Sequence, residues 1–218
     1  MAKITLGPDF GILNDNISPA VSPYLSRAEK AIDFYNKNWD NSGTTKMMLA
    51  LGKGPKKLLP NGTYVEGWPT NSEGIEIPPL PSLAATQLID VIGFKPISEV
   101  SFVYSETAGN ILVGGTLWRK IINNDPSLVR ELRSRWLFVR AILNDAADFT
   151  GEIYRQVGLY SQVKLKTGID PNKKFYLPTD VETEADGSVK GILEVYQNVP
   201  PTERKAAIVE TFSWVLEF

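Results

Sequence analysis

The chain has 218 residues and a formal net charge of −2, and it contains no cysteine and no histidine. These absences exclude disulfides and thiolate chemistry and remove both the usual general base and the commonest transition-metal ligand. A nearly neutral chain without a long basic run is not expected to bind nucleic acid by neutralising phosphates.

The N-terminal region is predicted to contain an arm and one helix. Residues 1–21 show little periodicity, which is typical of an arm, whereas residues 22–39 combine a capping Ser22, a Pro23 suited to the first turn and an apolar stripe. That stripe comprises Leu25, Ala28, Ile32 and Tyr35. The first residues lack the charged and apolar regions of a secretory signal, and no apolar run is long enough to span a bilayer. We therefore expect a protein without a membrane partner, made in the host cytoplasm.

The next segment, 44–83, is interrupted throughout by Gly and Pro and predicts loops, with one short helix near 45–51. A long irregular segment of this kind either wraps over a neighbouring subunit or forms a large surface loop. Residues 84–96 are apolar and are compatible with a helix or a strand.

From residue 97 the pattern favours strands. The alternating or apolar segments are "ISEVSFVYSE", "WLFVRAILN", "GEIYRQVGLYS", "GILEVYQNVPP" and "ETFSWVLEF". The predicted fold is therefore α+β and mainly β. An N-terminal region (1–96), containing the arm, the helix and the irregular segment, precedes a β-sandwich-like domain with long loops (97–218).

The segment "GEIYRQVGLYS" (151–161) carries the candidate site residues. We predict Tyr154, Arg155 and Tyr160 to be outward contacts. The reason is that the apolar residues Ile153, Val157 and Leu159 are expected to share the inner face. Strict alternation would place Arg155 on that inner face. It must then be paired, or the strand must bulge near the glycine at position 158.

An acidic cluster and a loop tryptophan could each have either a functional or a structural role. Asp145, Asp148 and Glu152 form an acidic cluster that could serve a hydrolase, although loop carboxylates are usually solvated. Trp68 lies in a loop, where an exposed indole would be an interface anchor or a sugar contact and a buried one would be structural.

Two further motifs favour ordinary loops. The acidic stretch 182–188 imitates half of a calcium loop but lacks the Glu at the twelfth position, so an acidic hairpin turn is predicted. The Gly- and Lys-containing stretch 51–57 lacks the spacing of a phosphate-binding loop. We expect no catalytic residue, no cofactor, no bound metal and no small-molecule substrate.

The last 80 residues resemble a family. The order "WLFVRAILNDAADFTG", "YRQVGLYS", "GILEVYQNVPPTERK", "FSWVLEF" resembles small virion structural proteins of tailed bacteriophages and the collar domains of phage tail fibres. The long connection 161–190 departs from the collar pattern, and the first 96 residues match no pattern of the family.

The resemblance implies a structural component of the tail, baseplate or neck, placed in the virion. It also implies symmetric self-association, docking of other virion proteins and no catalysis. The alternative is a carbohydrate-binding or fibre-attachment module that uses exposed aromatic side chains.

Overall fold

The computed structural model describes residues 23–39, 46–59 and 62–218. The predicted arm and the predicted cap Ser22 lie outside the described residues. In the described part, helix α1 spans Tyr24–Asn38 and helix α2 spans Pro126–Glu131. Asp125 caps α2 by accepting a hydrogen bond from the backbone N–H of Ser127.

Eleven strands are found in the described residues. They are β1 (Met48–Gly52), β2 (Lys56–Leu58), β3 (Tyr64–Glu66), β4 (Val91–Pro96), β5 (Glu99–Ser105), β6 (Ile111–Val113), β7 (Thr116–Lys120), β8 (Trp136–Leu143), β9 (Ile153–Ser161), β10 (Ile192–Glu203) and β11 (Glu210–Glu217). All strand pairings are antiparallel. The predicted class, mainly β with an N-terminal helix, is confirmed.

The strands form two larger sheets and one hairpin. The first sheet has the order β10-β9-β1-β4, the second has the order β11-β8-β5-β7-β6, and β2 pairs with β3. β9 is thus an inner strand of the four-stranded sheet, whereas β11 is an edge strand of the five-stranded sheet.

One apolar core joins the two sheets and α1. Leu49, Leu159, Leu137 and Trp214 belong to it, together with Ile32 of the helix. Because inward side chains of both sheets share this cluster, the sheets pack face to face as in a sandwich. The helix stripe is confirmed in part: Ala28 and Ile32 are buried, but Leu25 is 54% exposed.

A second apolar cluster covers the other face of the four-stranded sheet. Phe94 and Tyr160 of that sheet pack with Leu88 from the irregular middle of the chain and with Tyr176 and Val181 from the long connection after β9. The two irregular stretches therefore act as a cover, and the inner strands β1 and β9 of the four-stranded sheet are buried on both faces.

One prediction on the chain's organisation is wrong. Residues 48–52 form β1 where a short helix near 45–51 was predicted, because the apolar residues of β1 lie between two neighbouring strands. β1 and β4, which precede residue 97, pair in one sheet with β9 and β10, and the division of the chain at 96/97 stays a prediction. No helix in the part of the chain that the structure describes is long and apolar enough to cross a membrane.

Candidate docking surface

The segment 67–89, here called the strap, crosses β9 and β10 of its own chain. It follows the β2–β3 hairpin, and a turn around Asn71 shapes its beginning: the Asn71 side chain accepts hydrogen bonds from the backbone N–H groups of Glu73 and Ile75. The strap makes no regular strand, so its backbone groups need partners elsewhere.

The first anchor of the strap is an ion pair between Glu76 and Arg155 of β9. The Arg155 Nε and Nη2 atoms lie 2.7 and 3.0 Å from the two carboxylate oxygens of Glu76, which is a bidentate arrangement. The backbone N–H of Trp68 donates to the same carboxylate over 2.9 Å. The hydrogen bond from Arg155 holds the pKa of Glu76 below its usual value, against the opposing effect of desolvation.

The indole of Trp68 is the second anchor. Its Nε1–H donates to the carbonyl of Val199 in β10 over 2.9 Å, and the residue is 3% exposed. Trp68 therefore packs beneath the strap and does not offer an exposed face to a sugar ring.

Two side chains of β10 hold the middle of the strap. The Asn198 amide donates to the carbonyl of Pro79 over 2.9 Å. The Tyr196 hydroxyl accepts a hydrogen bond from the Ser82 backbone N–H and lies 3.2 Å from the Ser82 carbonyl. Asn198 and Tyr196 of β10 thus hold the strap at Pro79 and at Ser82.

The end of the strap is held by β9. The Tyr160 hydroxyl accepts a hydrogen bond from the Leu88 backbone N–H over 2.8 Å. The side-chain amide oxygen of Gln156 accepts one from the Ile89 backbone N–H over 2.7 Å. Burial raises the pKa of Tyr160 to about 12, since the phenolate would lose its hydration. The polar residues of β9 satisfy the backbone of a segment that has no ladder of its own.

The strap exposes large apolar side chains among polar ones. We call four of them the strap ridge, which comprises Ile75, Ile77, Leu80 and Leu83. Leu80 is 93% exposed and Leu83 is 107% exposed. Four exposed large apolar side chains close together in one ordered segment differ from the scattered single ones usual on a surface, and such clusters mark protein–protein contact sites.

A family model described as "Baseplate wedge 3 tail fiber network component" matches residues 24–218, which is most of the chain. The chain belongs to this family. None of the curated proteins compared with the chain matches it. The predicted virion protein of the phage tail is confirmed at this level, and the family description places it in the baseplate.

In this baseplate component, the predicted site residues of β9 do not face outward. Tyr154, Arg155 and Tyr160 are at most 7% exposed, so that prediction is wrong. The cause is the strap and the adjoining sheet, which cover β9 on both faces. The Tyr154 hydroxyl donates to Glu210 of β11 over 2.8 Å, which ties the two sheets together. A role of Tyr154, Arg155, Tyr160 and Trp68 at an interface between proteins stays a prediction.

The alternatives for Arg155 are also resolved. Its ion pair with Glu76 confirms the pairing, and the β1–β9 register runs without interruption through Gly158. The irregularities lie in the neighbouring strand β10, between Leu193 and Val195 and between Asn198 and Thr202.

The three candidate carboxylates of a hydrolase each have a separate lysine partner. Asp145 pairs with Lys174, and Glu152 pairs with Lys53. Asp148 is fully buried; its carboxylate lies 2.7 Å from the Lys95 ammonium and accepts from two backbone N–H groups of the preceding turn. This geometry supports roles in holding the turn.

Of the other two motifs, only the first is a turn throughout; in the stretch 51–57, predicted as a loop, just residues 53–55 lie outside strands. Residues 182–188 form an acidic hairpin, closed by a bridge between Thr183 and Val189, as predicted. The described residues contain no cluster of three or more potential metal-ligating side chains. The stretch 51–57 joins β1 to β2.

Sequence reasoning missed Glu76, Tyr196 and Asn198, which tie the strap down. It also missed Arg204, a fully buried guanidinium that donates to the carbonyls of Leu143 and Ile208. The signal for Arg204 is faint, because a single arginine after two prolines is typical of a solvated loop. For Glu76 the sequence indicates only that Arg155 needs a partner if it is buried, and not which carboxylate supplies it.

Proposed function

We propose that this member of the baseplate wedge family is a non-catalytic structural component that docks a neighbouring baseplate protein on the strap ridge and also associates with itself. The observation that carries the docking role is the exposure of Leu80 and Leu83 on a backbone that is hydrogen-bonded on both sides of them. The family match supports a structural role in the virion.

The energetics favour this use of the strap. Burying one exposed leucine contributes about 2 kcal/mol, so two adjacent leucines supply much of what a specific contact needs. The anchors made by Arg155 and Tyr196 hold the leucines in place before any partner arrives. The partner is therefore expected to present a shallow apolar groove.

The two sides of the strap differ in chemical character. Its inner side uses polar atoms to cover β9 and β10, and its outer side leaves the apolar ends of its side chains in water. A loop whose only role was to cover the sheet would present polar side chains to the solvent.

The test is incorporation into particles. Cells infected with a phage that lacks the functional gene would be supplied with the full chain carrying Leu80→Ser and Leu83→Ser. We expect at least about a ten-fold drop of this chain in purified particles, since two buried leucines correspond to more than one decade in affinity. Thermal unfolding of the isolated variant should match that of the wild type.

The matched control carries Leu112→Ser and Ile122→Ser, which are 69% and 72% exposed and lie far along the chain from the strap. This control is expected to be incorporated like the wild type. Equal incorporation of the strap variant and the wild type would contradict the docking role. An equal loss in the control would also contradict it, because the ridge would then have no special part.

A further inference from the structure

A pocket of about 540 Å³ opens beside the end of α1. Its wall contains Lys37, Lys46 and Lys164, while Met48, Val163 and Leu165 supply an apolar surface. Backbone hydrogen bonds join these parts: Val163 N–H donates to the Lys46 carbonyl, and Lys46 N–H donates to the carbonyl of the last helical residue. The pocket is therefore a built feature of the fold.

The three lysines share a second property. Within residues 23–39, 46–59 and 62–218, none of Lys37, Lys46 and Lys164 forms an ion pair, since Glu182, the carboxylate in the same lining, pairs with Lys190. Three unpaired cations around one apolar pocket make a site that favours a negatively charged segment.

The acidic hairpin 182–188 stands directly beside this pocket. The Glu182 N–H donates to the Lys164 carbonyl over 2.8 Å, so the hairpin and the pocket share a wall. At the hairpin tip, Glu184 and Asp186 are exposed and form no ion pair with any described residue. The unpaired acids of the tip thus follow two and four residues after Glu182, which itself lines the pocket of the lysines.

We propose that the acidic hairpin of a second copy of this chain enters the lysine pocket, and that the hairpin of the first copy enters the pocket of the second. A two-fold axis produces this reciprocal contact whenever a projection and its complementary pocket lie next to each other on one face. Within one chain no described carboxylate forms an ion pair with these three lysines, and the second copy supplies the carboxylates that they lack. The inference rests on the self-association included in the proposed function, and it names the surface.

Charge exchange tests the proposal on the full chain. Light scattering and sedimentation would give the mass and the dissociation constant of the wild type, of Lys164→Glu, of Glu184→Lys and of the double variant. Each single change should weaken self-association by about ten-fold or more, because a like-charge contact is created twice per pair of copies. The double variant should regain most of the lost association, since the two charges are simply exchanged.

The control variants are Lys30→Glu and Glu73→Lys, which alter exposed charges elsewhere by the same amount. They should leave the dissociation constant unchanged. Raising the salt concentration should weaken the wild-type association, because screening reduces interactions between partly exposed charges.

Three outcomes would overturn the inference: a wild-type chain that stays monomeric, single variants that associate like the wild type, or a double variant that gains nothing over the single ones. A monomeric chain whose Lys164→Glu variant fails to enter particles would show that an acidic segment of a different protein fills the pocket. The docking role of the strap ridge has its own readout, so it can stand while this inference fails.

Discussion

The strands β9 and β11 have similar lengths but opposite surroundings. β11 alternates apolar and polar residues, as a half-buried strand should, and only Trp214 in it is fully shielded. β9 carries an arginine, a glutamine and a glycine, yet all its residues after Ile153 are buried. The comparison shows that burial depends on what covers a strand, and that the cover of β9 comes from irregular chain.

Irregular chain makes demands that a sheet does not. A loop laid over a strand brings backbone N–H and C=O groups that have no ladder partner and must be paired when they are buried. Gln156 and Tyr160 meet this demand for the end of the strap, and Arg155 meets it indirectly through Glu76. Buried polar residues in the middle of a strand therefore mark where a loop crosses it.

The largest expected effect tests the difference in burial directly. Leu159→Ala in β9 should lower the free energy of unfolding by about 4 kcal/mol, because the side chain is fully buried and its neighbours are fixed. Leu216 of β11 is only partly buried, so Leu216→Ala should lower the free energy of unfolding by about 1 kcal/mol. Urea unfolding followed by tryptophan fluorescence measures both. Similar losses would show that the two strands are equally packed.

The second prediction removes the cation from the strap anchor. Arg155→Ala should cost about 3 kcal/mol, since it leaves the Glu76 carboxylate buried without its partner. Hydrogen exchange should accelerate in residues 67–89 and stay unchanged in β11. Adding Glu76→Ala should recover part of the stability. If the double variant were as unstable as the sum of the single ones, the ion pair would not be the anchor.

The third prediction concerns the glycine of β9. A Cβ atom at Gly158 would lie 3.0 Å from a methyl group of Leu193 and 3.1 Å from one of Leu88. Gly158→Ala should therefore cost about 2 kcal/mol through crowding. The counterpart Ser213→Ala, at a half-buried position of the edge strand β11, should change stability by less than about 0.5 kcal/mol. Thermal unfolding compares the two; a neutral Gly158→Ala would mean that the strap is loosely packed.

The smallest predicted effect is a pH dependence. Arg155 lowers the pKa of Glu76 below its usual 4.5, so the stabilisation is present above that value and is lost as the pH falls below it. The free energy of unfolding of the wild type should exceed that of Glu76→Gln by about 1 kcal/mol at neutral pH. This difference should shrink in acid. Glu73→Gln, an exposed change on the same strap, should show no such trend. A difference that stayed constant down to strongly acidic pH would contradict the assignment.

The strands that alternate, or whose apolar run contains β-branched and aromatic residues, were predicted from the sequence. The residues of β11 and β5 alternate, and β8 has such an apolar run. β1 was missed because Met48 to Leu51 are apolar without alternation, and Met, Leu and Ala also favour helices. A strand buried on both faces leaves no periodic signal.

The candidate site was predictable only in outline. The segment 151–161 was correctly recognised as a strand with an unusual polar centre, and the need to pair Arg155 was recognised too. Its partner Glu76 lies far away in the sequence, and nothing local specifies such a pairing. The exposed surface therefore had to be found on the strap and not on the strand that anchors it.

The prolines of the strap have a consequence for how the protein meets its partner. Leu80 lies between Pro79 and Pro81, and Pro78 precedes them, so the φ angles of three neighbours of Leu80 are already fixed by covalent rings. This stretch therefore loses its conformational entropy when the chain folds, and little remains to be lost when a partner binds. Docking on the strap ridge should therefore be rigid-body association, with a heat-capacity change that reflects the contact area alone and no folding coupled to binding.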